Sequence, residues 1–221
     1  MIELLGKLPL FHSLNDRQLE SVSDVCQVKF YKAETILFHE HEVGAFFYIV
    51  ISGGVKIYTS NRNCGDEKIL AVIGKGEVFG ELALLDGKPR SATAQAIEDT
   101  QVLSLRANEF TALLKDHFDI TLNIVKELCE RLRETNEQVR DLTFLDAKER
   151  VVKTLVKLAT KHGSRSGNRI IIQLKLSYDE ISKMAGVPLM LLYQVFKDMQ
   201  NKEILDLSSH QLSLNLTNLR R

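Results

Sequence analysis

The sequence predicts an α+β protein in three stretches: an N-terminal all-β body of sandwich, jelly-roll or barrel type, one long helix, and a C-terminal helix-turn-helix followed by a β-hairpin. Three observations predict it. From Val28 to about Leu105, short β-branched and aromatic segments are punctuated by Gly44, Gly53, Gly54, Gly65, Gly74, Gly76, Gly80 and Gly87. From His117 to Phe144 there is no Gly or Pro, and apolar or small residues recur at alternating steps of four and three. From Leu176, the stretch L-S-Y-D-E-I-S-K-M-A-G-V-P-L-M-L-L-Y-Q-V-F-K-D-M holds a helix start, a glycine stop and a second helix start.

Taken in order, residues 1–24 read as helical, and Ser13-Leu14-Asn15-Asp16 can cap a short helix carrying Leu19 and Val22. Strands are predicted over 44–52, 53–58 and 68–73. After Arg106 the pattern becomes helical, with Asn108 as the cap and Glu109 in the first turn, where its charge suits the helix dipole. The long helix carries a seam: Phe118, Leu122, Val125, Cys129, Leu132, Asn136, Val139 and Thr143. Such a seam needs a cover, either a second copy of itself or the β body. Asn136 is the polar member that can fix register. Phe144-Leu145-Asp146 reads as a joint and candidate hinge. Next come a helix from Ala147 to about Thr160 (Val151, Leu155 and Leu158 on one face), a loop from Gly163 to Asn168 and a strand over 170–174. Ser177 with Glu180 forms a capping box, Gly186 stops that helix, and Pro188 suits the first turn of the next. The tail from Ile204 to Leu216 alternates around Ser208-Ser209-His210-Gln211 and reads as a hairpin, or wing.

At 221 residues the chain suits one large or two small domains. It has no apolar run long enough to span a membrane, and M-I-E-L-L-G-K-L-P-L-F lacks the features of a signal peptide, so the expected location is the cytoplasm. Cys26, Cys64 and Cys129 are odd in number and far apart, which reads as free thiols rather than a metal or redox site. Residues 1–146 carry 16 Lys and Arg against 23 Asp and Glu, a net −7; residues 147–221 carry 13 against 6, a net +7. A basic back half suits a polyanion. No H-E-x-x-H, G-x-S-x-G or P-loop lysine is present, so an enzyme is not expected. His39 and His41 alternate in a strand-like segment and would share one face; a solvated face, not a metal, is the expectation.

The stretch G-E-V-F-G-E-L-A-L-L-D-G-K-P-R-S-A-T-A-Q-A, Gly76 to Ala96, carries the chemistry. Gly80 permits a tight turn and close approach. Gly80-Glu81-Leu82 would open a short helix whose N-terminus favours an anion. Arg90 adds a cationic fork and Ser91 a hydroxyl donor, both suited to phosphate oxygens. Glu81 then makes sense as an acceptor for a sugar hydroxyl of the same ligand. The other reading of Glu81 and Arg90 is an ordinary surface ion pair.

This cassette resembles the phosphate-binding cassette of cyclic-nucleotide-binding domains. Nearly the whole chain resembles the CRP/FNR family of bacterial transcription regulators. The resemblance implies an N-terminal β-roll (jelly-roll) effector domain over residues 1–107, a dimerisation helix and hinge over 108–146, and a C-terminal winged helix-turn-helix over 147–221. It implies cAMP as allosteric effector, with no metal. Gly80 and Glu81, with Leu82 beside them, would meet the ribose, and Arg90 and Ser91 the cyclic phosphate. L-R-E-T-N-E-Q-V-R-D-L-T-F-L-D resembles the family's adenine-contacting stretch, so Thr135 would bond the adenine edge. Asn136 stands where the partner subunit's serine reaches across, and Leu70 and Ala71 would line the base pocket. The implied partners are a second copy, double-stranded DNA with recognition helices roughly 34 Å apart, and RNA polymerase. One departure is plain. The family's recognition helix opens S-R-E-T-V-x-R; here Leu189, Met190 and Gln194 replace its Arg, Glu and Arg. Gln194 suits adenine, while Leu189 and Met190 suit thymine methyls or, with Leu192, an apolar patch for a protein partner. Tyr193, Lys197 and Ser177 suit phosphates. The alternative is a family member independent of nucleotide, or answering another effector, with weak or non-standard DNA specificity.

Overall fold

The structure, a computed structural model, describes residues 1–61, 63, 65–207 and 212–219. Its chain divides into two units, one of Met1–Thr59 with Leu70–Asn136, the other of Ser60–Ile69 with Glu137–Arg221.

In the first unit, helices α1 (Ile2–Gly6) and α2 (Asp16–Val25) flank a 3-10 turn, Pro9–Phe11. Asn15 caps α2: its side chain accepts from the Gln18 N–H, and Gln18 accepts from the Asn15 N–H. Strands β1 (Gln27–Tyr31), β2 (Ile36–Phe38), β3 (Phe46–Ser52), β4 (Val55–Ser60), β5 (Glu67–Ile73), β6 (Val78–Phe79), β7 (Thr93–Ala96) and β8 (Thr100–Arg106) follow, with helix α3 (Leu82–Asp86) after β6; Ser60 of β4 and Glu67–Ile69 of β5 are counted in the second unit. They form two four-stranded sheets, ordered β1-β8-β3-β6 and β2-β7-β4-β5. Strand β3 is buried on both faces, and its side chains alternate between two cores. Phe47 and Ile49 join Leu5, Phe11, Val22 and Phe110 under the helices. Tyr48 and Val50 join Phe38, Val55, Phe79 and Ala94 between the sheets. His39 and His41 fall beyond the end of β2, in a turn where His41 has φ of 72°, so the strand alternation expected of them is absent.

Helix α4 (Ala107–Asp116) corrects the cap expected at Asn108. The N-cap is Arg106, because the Glu109 carboxylate, three residues on, accepts the Arg106 N–H. The long helix α5 (Phe118–Phe144) packs on the core through Ile120, Ile124 and Leu128. Its seam lies elsewhere: Leu122, Val125 and Val139 are exposed, as are Phe118 at 74% and Leu132 at 62%. The alternative in which the seam is covered by the β body is thereby set aside.

In the second unit, α6 (Ala147–His162) starts at Asp146, which forms a capping box with Glu149. Strands β9 (Gly163–Ser166) and β10 (Arg169–Ile172), helices α7 (Tyr178–Ala185) and α8 (Leu189–Asn201), strands β11 (Leu205–Asp206) and β12 (Ser213–Asn215), and α9 (Leu216–Leu219) complete it. The stretch read as a loop from Gly163 is a strand to Ser166, because it finds β10 as antiparallel partner, Gly163 opposite Ile172. The sheet order is β11-β12-β10-β9. Leu205 opposes Leu214, and the turn expected at Ser208–Gln211 lies outside the described residues, as does Cys64. Val151, Leu155, Ile181, Leu192 and Phe196 share one core.

Candidate functional site

The cassette of the first unit is built on a left-handed glycine. Gly80 has φ of +81°, and a Cβ there would lie 2.8 Å from Arg90 Nη1, so only glycine allows the guanidinium to sit where it does. Arg90 is 4% exposed. Its Nη1 donates to Gly80 O at 2.6 Å and its Nη2 to Phe46 O at 2.7 Å. Its guanidinium carbon lies 4.1 Å from the centre of the Phe38 ring. The loop carrying it is pinned by the Arg90 N–H to Glu42 O and the His41 N–H to Arg90 O, both 2.8 Å. Burial pulls the Arg90 pKa down, and Tyr48, Glu81 and Glu42 oppose that shift.

Glu81 is the N-cap of α3 and is 1% exposed. A carboxylate so buried needs a partner. That partner is Arg131 of α5, whose Nη1 donates to Glu81 Oε1 at 2.8 Å and whose Nη2 donates to Val78 O. The surface-pair reading of Glu81 with Arg90 is corrected: both are buried, and the ion pair runs to Arg131. Arg131 escaped sequence reasoning because it is one of many charges on the helix. The available signal was spacing, since it stands four residues before Thr135 on the same helix face.

Among the described residues, the buried side-chain polar atoms without a hydrogen-bond partner are Glu81 Oε2 and Arg90 Nε. One is an acceptor and one a cationic donor, and native interiors seldom leave such groups unsatisfied. The pair fits a ligand carrying both a hydroxyl and an anion.

The other expected residues are placed as follows. Leu82 opens α3 and is exposed, as is Ser91. Leu70 and Ala71 lie on β5, Leu70 exposed and Ala71 packed against the inter-sheet core. Thr135 donates its hydroxyl to Arg131 O at 2.8 Å, placing it one turn from the guanidinium that reaches Glu81. Asn136 is exposed on the seam. The structure thus brings Gly80, Glu81 and Arg90 together, with Thr135 following through Arg131.

In the second unit, α7 and α8 form the expected helix-turn-helix. Ser177 Oγ accepts the Glu180 N–H and donates to Glu180 Oε2 at 2.9 Å, so its hydrogen serves the cap. Gly186 ends α7 at φ of 62°. Pro188 is the N-cap of α8, one position earlier than expected. Cations hold the last carbonyls around the turn: Arg150 donates to Ala185 O and Gly186 O, and Lys68 to Met184 O. Burial, reinforced by repulsion from Arg150, lowers the Lys68 pKa. Helix α8 buries Leu192, Val195, Phe196 and Met199 and exposes Leu189, Met190, Tyr193, Gln194 and Lys197, so Leu192 is corrected out of the expected apolar patch: it packs in the core with Ile181 and Phe196. Tyr193 stacks edge-on with Tyr178, ring centres 5.5 Å apart.

Comparison with known proteins adds the following. A family model described as the cyclic nucleotide-binding domain matches residues 28–117. The chain is 33% identical to a "Cyclic AMP receptor protein" of Thermus thermophilus over 178 residues, 80% of this chain and 79% of that one. It is 31% identical to a "CRP-like cAMP-activated global transcriptional regulator" of Mycobacterium tuberculosis over 187 residues, 84% of this chain and 83% of that one. The fold is shared with FixK2 of Bradyrhizobium japonicum, at a TM-score of 0.78 and 22% identity over 89% of this chain and 96% of that one. Among the described residues, no helix is long and apolar enough to cross a membrane.

Proposed function

The chain belongs to the CRP/FNR family of transcription regulators that carry a cyclic-nucleotide-binding domain, and from that premise we propose that it is a homodimeric, cytoplasmic regulator that binds cAMP and thereby alters its hold on DNA. The observation that carries this reading is the pair of unsatisfied buried atoms, Glu81 Oε2 and Arg90 Nε. cAMP supplies a ribose hydroxyl for the first and a cyclic phosphate anion for the second. Gly80 keeps the fork in place, Ser91 adds a donor, Leu70, Ala71 and Leu82 offer apolar surface, and Thr135 and Asn136 meet the base. No catalytic step is assigned.

Arg131 ties the site to α5. A ligand that draws on Glu81 changes what holds one turn of that helix, which gives it a differential contact between two states. The exposed seam of α5 supports pairing with a second copy, and the α7–α8 face supports DNA as partner, through Leu189, Met190, Tyr193, Gln194, Lys197 and the start of α7 at Ser177. RNA polymerase is the further partner expected beside the bound DNA.

A second reading is favoured by the same Arg131. One Glu81 oxygen is already neutralised at 2.8 Å, which suits a regulator that works without nucleotide or answers another effector. Selection of genomic fragments with the full chain, with and without cAMP, separates the two. Under the first reading a discrete set of fragments is retained at least about tenfold better with cAMP. Equal retention of that set favours the second reading, and equal retention of random DNA contradicts both.

A further inference from the structure

Helix α8 turns Leu192, Val195, Phe196 and Met199 into the core of its unit. Its outward face opens with Leu189, Met190 and Tyr193, all exposed, Met190 at 70%, and continues through Gln194 and Lys197. The residues at the start of a recognition helix are the ones that meet base edges in the major groove. Here they are apolar. No arginine stands on α8, and two guanidinium groups elsewhere in its unit are committed: Arg150 to the carbonyls of Leu145, Ala185 and Gly186, and Arg169 to Asp206 at 2.5 Å. Guanine is read by paired donors on its O6 and N7. Lys197 stands two turns beyond the helix start, a place suited to backbone phosphate.

An apolar side chain at the floor of the major groove has one matching feature, the thymine methyl. Gln194, one turn after Met190 on the same face, carries the amide that pairs with adenine N6 and N7. Resting on the reading of α7–α8 as a DNA-binding helix-turn-helix, we infer that α8 selects A·T pairs, with Leu189 and Met190 against thymine methyls and Gln194 against adenine. A polyanion is the occupant argued for because residues 147–221 carry a net charge of +7 and Lys197 shares the face with the apolar patch.

The test uses duplexes selected from a randomised library by the full chain in the presence of cAMP. The selected half-sites are expected to be rich in A·T pairs. Replacing their thymines with deoxyuridine, which lacks only the methyl, is expected to weaken binding about fourfold for each methyl contacted. Met190→Ala, at an exposed position, is expected to keep its melting temperature and to lose part of the thymine-over-uracil preference. Equal binding of thymine and uracil duplexes, or selection of G·C pairs opposite α8, overturns the inference and leaves the DNA-binding reading standing. If no sequence is enriched above random, both fall, and the apolar face is a docking surface for protein.

Discussion

Replacing Arg90 with leucine is expected to weaken cAMP binding by two to four powers of ten. The side chain would lend the cyclic phosphate at least two charge-assisted hydrogen bonds, each contributing about 1.5–3 kcal/mol. About 1.4 kcal/mol corresponds to each factor of ten. The same guanidinium holds Gly80 O and Phe46 O. Its loss leaves two buried acceptors without a donor, at about 1–3 kcal/mol each, so the melting temperature falls as well. The two effects separate if binding is measured well below the variant's melting point. Arg90→Lys keeps the charge without the fork and is expected to recover only part of the affinity. Unchanged affinity in Arg90→Leu would mean that the phosphate sits elsewhere.

Leu132→Asp is expected to convert the protein to a monomer in sedimentation and to lower its DNA affinity by about two to four powers of ten, the gain that linking two binding modules supplies. Leu132 is 62% exposed in the single chain, so the core of its own unit loses nothing. The charge would fall instead in the seam between copies, unpaired and desolvated. Cys129 gives an independent readout. It is exposed one seam step before Leu132, whereas Cys26 is buried, its thiol pushed up to about 12 by burial. Copies paired in parallel and in register bring the two Cys129 residues face to face, so mild oxidation links the unsubstituted chain covalently and leaves Leu132→Asp unlinked. An unsubstituted chain that sediments as a monomer would contradict the paired seam.

The local parts of this architecture are written in short windows of sequence. The capping boxes at Asn15, Asp146 and Ser177 each close over three residues, and the Gly186 stop needs only its own left-handed backbone. The cassette is local too, Gly80 and Arg90 being ten residues apart. Asp146 reads in the sequence as part of a joint, and in the structure it also caps α6. What escaped is long-range. Arg131 meets Glu81 across fifty residues of chain, and on a helix rich in charge only the four-residue step to Thr135 marks it as the arginine that turns inward. The stack of Arg90 on Phe38 and its bond to Phe46 O depend on how two sheets face each other. Gly163–Ser166 has the composition of a loop and becomes a strand because β10 lies beside it. The cap at Arg106 escaped because arginine is a poor capping residue; the Glu109 carboxylate does that work from three residues away.

On the proposed reading, Gly80, Glu81 and Arg90 together hold a cyclic nucleotide. Calorimetric titration of cAMP into the full chain tests it most directly. The expected result is heat that saturates at one nucleotide per chain, with a matching rise in melting temperature. No heat and no thermal shift with either cAMP or cGMP would contradict it.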